Sequence, residues 1–501
     1  MITFDPETPL LTLGNNLNND IWTIRHAFEG VQIFGGIGSG KTSGSGRTIA
    51  LKFLKAKFGG LVLTAKADEK KDWIEYCRLT GRLNDLVIIE PGGKEFFNFL
   101  EYESAPRGGE TSITGNIVHV LKTVLKASEE KDKGKSDDAF WENAVDLLIY
   151  NIVDLCSLAY GFSTIQHIYE IAQSVPRSLD ELKNPDSADK AFVKALVLAD
   201  KKVKEKLREW ERGLTPEQLS EMERNGTSSE RAAIEVPAFR LISNVEEFFK
   251  ANYISLNEKT RSIIEFSLVG FLFRFMRDPV FTLFCDRTST IKPDDCLNGK
   301  IILINLPVKL YDKVGRDAQI MFKYIWQRAM ERRDIKVNDR PIFLFADEAH
   351  IFLHEYDADY QATARSSRIC TVYISQNLPN YYANMGGGKA EYRVKSFLGT
   401  LNTKIFHANA DIETNNYSSS LMGDAEYIRT SVADTGPSLS RTKTISTKSE
   451  RIIRSEEFVK LKTGGPRNAF VVECYIHRQG DSFSNEENYI KAKFNQNFIP
   501  T

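Results

Sequence analysis

The sequence predicts an α/β fold, a mostly parallel central sheet interrupted by a large all-α insertion, on three observations. Short apolar runs alternate with helix-compatible segments towards both ends of the chain, which is the rhythm of β-α-β units. A glycine-rich turn follows the first of these runs. Between about Tyr102 and Pro293 the runs give way to long helical patterns. At 501 residues the chain exceeds one ordinary core of about 100–200 residues. Three segments are therefore expected: a first part of the sheet domain over 1–100, an inserted all-α domain over 101–295, and the rest of the sheet domain over 296–501.

Taken in order, Val31 to Phe34 (VQIF), Leu61 to Thr64 (LVLT) and Leu86 to Glu90 (LVIIE) read as buried parallel strands. The insertion carries helical patterns at Phe140 to Cys156 and Asp200 to Arg212, with turn signals at Asn184-Pro185-Asp186 and Asn225-Gly226. Strands resume at Ile301 to Leu306, Ile342 to Ala346, Thr371 to Ser375 and Lys404 to His407, and a last one is expected at Ala469 to Tyr475. Ala127 to Asp138 (ASEEKDKGKSDD) reads as a solvated charged loop, and Asp434 to Glu450 as a mobile linker or hairpin. The mixed-sign run Lys201 to Arg212 reads as a solvated helical face.

Apolar residues are 42% and charged residues 27% of the chain, a composition that excludes a mostly disordered or fibrous protein. Lys plus Arg number 66 against 67 Asp plus Glu, so any nucleic-acid contact has to come from a local basic surface. Cys77, Cys156, Cys285, Cys296, Cys370 and Cys474 form no C-x-x-C pair and read as reduced, buried thiols of a cytoplasmic protein. No basic start followed by an apolar run opens the chain. The most apolar stretches, Ala144 to Tyr160 and Ile263 to Met276, are broken by Asp146, Asp154, Glu265 and Arg274. They fall short of the roughly 20 unbroken apolar residues that a membrane span needs, so no intrinsic span is expected.

Gly35-Gly36-Ile37-Gly38-Ser39-Gly40-Lys41-Thr42 matches G-x-x-x-x-G-K-[ST], with a strand before it and a helix-compatible stretch, RTIALKFLKAK, after it. Glycines let consecutive backbone N–H groups close around a phosphate at a helix N-terminus. Gly35, Gly36, Gly38, Ser39, Gly40, Lys41, Thr42 and Ser43 are thus the expected nucleotide-binding residues, Lys41 reaching the β- and γ-phosphates and Thr42 holding Mg²⁺. The strand Phe343-Leu344-Phe345-Ala346 runs into Asp347 and Glu348. Asp347 fits the magnesium role, and Glu348, pointing differently, is placed to polarise an attacking water, which implies hydrolysis of ATP.

Asp347-Glu348-Ala349-His350 also spells a helicase box, but no ordered set of second-domain helicase motifs accompanies it. His350 and His354 stand four apart on an expected helix without the glutamate of H-E-x-x-H, so helix packing is the reading and no metal site. Gln376 directly follows the strand TVYIS and is the candidate sensor of the γ-phosphate or its water. An arginine near the same strand could stabilise transition-state charge in a neighbouring subunit, Arg365 being the first candidate and Arg368 the second.

With these motifs in place, the chain resembles the TraG/TraD-like coupling ATPases of type IV secretion and conjugative DNA transfer, within the FtsK/HerA group of motors. The residues that carry the resemblance are GGIGSGKT, LVLTAKADEKKDW, FFNFL at Phe96 to Leu100, FWENAVDLLI at Phe140 to Ile149, GKIILINLP at Gly299 to Pro307, FLFADEAH, ARSSRICTVYISQNLP at Ala364 to Pro379 and the stretch Leu401 to Gly423. The resemblance implies a RecA-like P-loop core with an inserted all-α domain, a homohexameric ring, DNA in a central channel, Arg365 acting in trans and Gln376 sensing the nucleotide. It also implies relaxosome or secretion-channel partners, and a peripheral place at the inner membrane through one of them. Three departures qualify it: no N-terminal membrane helices, an Ala65 where an acid often precedes the turn lysine, and no overall basic charge. Lys66 is accordingly left outside the core site. The alternative functions are a HerA-like ATPase partnered with a nuclease in DNA processing or defence, or a nucleotide-dependent scaffold.

Overall fold

The computed structural model describes residues 4–14, 20–105, 113–129, 139–385, 390–435 and 440–500. Thirteen strands occur among them: β1 (Pro9–Thr12), β2 (Ile21–Thr23), β3 (Val31–Phe34), β4 (Gly59–Leu63), β5 (Leu86–Ile89), β6 (Ile301–Ile304), β7 (Ile342–Ala346), β8 (Ile369–Ser375), β9 (Thr403–His407), β10 (Asp424–Thr435), β11 (Ser440–Arg451), β12 (Val471–Arg478) and β13 (Tyr489–Asn495). Nine of them form one sheet in the order β13-β12-β9-β3-β8-β7-β4-β6-β5. From β9 to β5 every pairing is parallel, and β12 and β13 close that side antiparallel. The fold is α/β, with a RecA-like core.

The chain divides into two compact units, one of Met1–Ile89, Ala127–Gly134 and Pro293–Thr501, the other of Glu90–Lys126 and Lys135–Lys292. The first holds the sheet. Its central strands β3, β6, β7, β8 and β9 are buried along their whole length, as apolar strands covered on both faces must be. Trp73 packs one ring face on Phe343 (5.7 Å) and its edge on Phe345 (5.1 Å), which seats the helix Glu69–Leu79 against β7. The expected strands are all present, but β13 is added to them. Its sequence, YIKAKFN, alternates polar and apolar residues at a half-exposed edge, so it lacks a continuous apolar run.

The second unit is helical among its described residues. Its longest helices are Ala139–Tyr160, Ala191–Arg212 and Glu258–Phe275. Their limits are chemical: Asn257 Oδ1 accepts from Lys259 N–H at 2.8 Å, and Thr215 and Gln218 form a capping box ahead of Pro216–Asn225. Gly226 ends that helix at φ 63°, a left-handed cap that suits glycine. Of the run Lys201 to Arg212, only Val203 is buried.

Of the predicted charged loop, residues 130–138 lie outside the described residues. Of the stretch Asp434 to Glu450, residues 436–439 lie outside the described residues, and the rest belongs to the antiparallel pair β10–β11, in register from Asp424↔Arg451 to Thr435↔Ser440. All six cysteines are free and buried. No single described helix is long and apolar enough to cross a membrane; one bent pair, Asn143–Tyr160 with Ile165–Gln173, passes only together.

Candidate active site

The predicted phosphate loop leaves the carboxyl end of β3. Gly35 N–H donates to the Ser375 carbonyl (3.3 Å) and Gly36 N–H to the Ala408 carbonyl (2.9 Å), so β8 and β9 hold the loop from either side. Gly40 has φ 80°, and a Cβ there would also lie 2.6 Å from Val472 Cγ2, so only glycine fits. Lys41 leads into a helix whose first turn, Thr42–Gly46, is π-helical and runs on as Arg47–Lys55. The N–H groups of this turn and helix N-terminus are the donors an anion needs. Ser39 Oγ is buried with no hydrogen-bond partner, an orphaned donor that a phosphate oxygen would satisfy. Ser43 is exposed, and its hydroxyl accepts from Gln496 Nε2 at 2.6 Å.

Behind the loop, His407 on β9 contacts Ser45 Oγ at 2.7 Å through Nε2 and the Glu473 carbonyl at 3.2 Å through Nδ1. Burial pushes this imidazole down to about 4, so it is neutral. Its Nδ1 must carry the proton, because a carbonyl only accepts, and Nε2 accepts from Ser45. The loop helix is thereby tied to β9 and β12.

Two strands along the sheet from β3, β7 delivers the two acids. Thr42 Oγ1 donates to Asp347 Oδ2 at 3.0 Å, joining the loop to β7 across β8. Glu348 has φ 51° and ψ 44°, a left-handed backbone that a side-chain-bearing residue adopts at a cost of about 1–3 kcal/mol. Its N–H donates to Asp347 Oδ1 at 2.9 Å. Glu348 Oε1 accepts from Gln376 Nε2 at 3.1 Å, while its Oε2 is buried without a hydrogen-bond partner. Burial alone would raise the Glu348 pKa, but the Gln376 amide, Lys66 and Lys41 hold it below the usual carboxylate range. Glu348 is therefore ionised at neutral pH with one acceptor oxygen to spare. Burial pulls the Lys41 ammonium below the ordinary lysine value, with Asp347 and Glu348 opposing the shift.

Lys66, set aside on sequence grounds, is part of this cluster. Its ammonium lies 3.2 Å from Asp347 Oδ2 and 3.2 Å from Glu348 Oε1. The turn after β4 that carries it is closed by Glu69, whose Oε2 accepts the Ala65 N–H at 2.9 Å. Ala65 contributes no acid, but the flexible stem of Lys66 covers the distance to β7. Asn409 was also missed: it donates to the Gln376 carbonyl at 2.9 Å from the end of β9. Its position just after a strand end was its only signal.

Gln376 and Arg365 are not brought together. Gln376 follows the carboxyl end of β8 and Arg365 precedes its amino end, and seven residues of strand span about 20 Å. Arg365 is exposed and 3.6 Å from Glu29 Oε1. Arg368, at φ 51°, is bound into the fold, donating to the Phe4 carbonyl (2.9 Å) and pairing with Asp339 (3.2 Å). His350 and His354 do not share a helix, which is a correction. His350 sits in the single 3-10 turn Ala349–Ile351, because the left-handed Glu348 breaks the chain direction, and its Nδ1 meets Ser375 Oγ at 3.1 Å. His354 lies beyond that turn, its Nε2 on Gln327 Oε1 at 3.0 Å. No group of three potential metal-ligating side chains occurs among the described residues. Thr42 and Asp347 fit magnesium in the P-loop manner, which leaves most of the metal's shell to water and phosphate.

Residues 341–463 match a family model described as the TraM recognition site of TraD and TraG. No curated protein sequence matches the chain. Among solved structures, the plasmid coupling protein TrwB in complex with the GTP analogue GDPNP aligns with TM-score 0.60 and 12% identity over 99% of this chain and 91% of its own. TrwB with the ATP analogue ADPNP aligns with TM-score 0.58 and 11% identity over 100% of this chain and 91% of its own. TrwB in complex with ADP and Mg²⁺ gives TM-score 0.54 and 12% identity, covering 96% and 88%. At such identities the structural likeness establishes the fold.

Proposed function

We propose that this TraG/TraD-like chain is a DNA-moving ATPase, a coupling motor that cleaves ATP at the Lys41–Glu348 site and works as a ring of six copies. The observation that carries the reading is the assembly of Thr42 on Asp347, and of Gln376 on Glu348, at adjoining strand ends beside a buried lysine. TrwB, whose fold the chain shares, is named as a plasmid coupling protein and binds ATP and GTP analogues and ADP with Mg²⁺. The family match over 341–463 supports a relaxosome protein as the partner, met within that segment.

In this reading the loop N–H groups and Ser39 cradle the phosphates, and the buried Lys41 neutralises the terminal ones. Magnesium, when bound through Thr42 and Asp347, would draw charge from the β- and γ-phosphates. Glu348 accepts a hydrogen bond from the attacking water through Oε2 and takes up its proton. Gln376, held on the other oxygen, fixes the carboxylate's orientation and registers whether the γ-phosphate is present. The DNA contact is to the phosphate backbone and weakens with salt.

Glu348→Gln is expected to bind a fluorescent ATP analogue about as tightly as the parent while DNA-stimulated hydrolysis falls by about 10²–10⁴-fold. Lys41→Ala should lose both binding and hydrolysis. An equally slow parent and Glu348→Gln protein, with or without DNA, would reject the motor.

A further inference from the structure

Two carboxylates on consecutive residues, both buried at the mouth of the phosphate loop, need a counter-charge when no nucleotide is present. Lys66 supplies it. Its ammonium is 3.2 Å from Asp347 Oδ2, the same oxygen that accepts the Thr42 hydroxyl at 3.0 Å, and 3.2 Å from Glu348 Oε1. It therefore stands where the hydroxyl of Thr42, the metal-binding acid and the water-activating acid converge. The Lys66 side chain is about one-third exposed, whereas Asp347 and Glu348 are nearly covered, so the lysine is the member of the trio that can swing out. The buried Lys41 also feels both acids, so Lys66 adds a second positive charge to the pair of carboxylates.

We infer that Lys66 is a resident counter-cation that occupies the magnesium position of the nucleotide-free site and must be displaced before metal and nucleotide can bind. An ammonium and a dication repel, and both need the same Asp347 oxygen, so the two states exclude each other. Free magnesium then has to compete with an attached cation at high local concentration, and the metal enters productively only together with the phosphates. Lys66 is a positioning residue in this scheme: it keeps the two acids poised and sets how much magnesium is needed. The inference rests on the proposed Mg–nucleotide site.

The test is a magnesium titration of fluorescent ADP binding to the full chain, in the parent, Lys66→Met and Lys66→Arg. The half-saturating Mg²⁺ concentration is expected to fall about threefold or more in Lys66→Met, and to stay at or above the parent's in Lys66→Arg, which keeps the charge. Mg²⁺ alone should raise the melting temperature of Lys66→Met and leave that of the parent unchanged. An unchanged or higher Mg²⁺ requirement in Lys66→Met overturns the inference, the higher value marking Lys66 as a phosphate ligand. Should Lys66→Met not fold, Lys66→Gln is read in the same way. A parent protein whose nucleotide binding ignores Mg²⁺ would instead sink the metal site itself, and Lys66's role with it.

Discussion

Lys404 on β9 is buried, and its ammonium meets the Leu401 carbonyl at 2.5 Å. Burial brings its pKa down to about 8. Across the β9–β12 ladder it faces His477, which burial and the Lys404 charge push down to about 4. A lysine in the unfolded chain titrates near ~10.4, so the unfolded state holds this proton more tightly. This lysine therefore costs folding nothing above ~10.4 and progressively more as the pH falls towards about 8, below which its full cost, on the order of 3 kcal/mol, persists. Lys404→Met should be more stable than the parent at pH 7, by up to that amount, with the gap closing between pH about 8 and 10. Urea unfolding at several pH values measures this, and a less stable variant at pH 7 would contradict it. The same scale explains what the sequence concealed about the site. Asp347 and Glu348 announce themselves because an apolar strand ends on them, whereas Lys66 reaches them from another strand through a long side chain that no local pattern records.

At the level of elements, apolar runs identify strands only where both faces are covered. VQIF and IFLFA coincide with β3 and β7, residue for residue. The edge strand β13 and the small β1–β2 ribbon carry mixed patterns and escape notice. The stretch Asp434 to Glu450 was open between linker and hairpin, because Ser, Thr and Lys form an exposed ribbon as readily as a coil. Its β10–β11 hairpin forms a sheet of its own, and Ile428 and Ile445 on it are exposed. The hairpin's base is self-sufficient: Ile452 N–H donates to the Gly423 carbonyl at 3.1 Å, and Gly423 turns the chain at φ 92°. Replacing Ala425–Glu450 with an Asn-Gly turn should therefore leave nucleotide affinity unchanged and move the melting temperature by no more than about 2–4 °C. A larger loss in calorimetry would show that the core depends on the ribbon.

For the whole molecule, the decisive feature is that β8 separates Arg365 from Gln376 and from the acids that Gln376 serves. An exposed guanidinium near the amino end of β8 can stabilise a phosphate only if a second copy brings its own loop there, which is the heterologous contact of a closed ring. Glu29 holds the arginine at 3.6 Å and Arg368 is committed to Asp339 and Phe4, so Arg365 is the one to test. Arg365→Ala should bind nucleotide normally and hydrolyse it about 10³-fold more slowly. Mixed with Lys41→Ala, it should regain activity. In random equal mixtures about half of the sites have an intact loop, and about half of those face an intact arginine, so about a quarter of the parent rate is expected if sites fire independently. Were Arg365 to act within its own chain, every site in the mixture would lack one of the two groups, and the blend would be as inactive as its components.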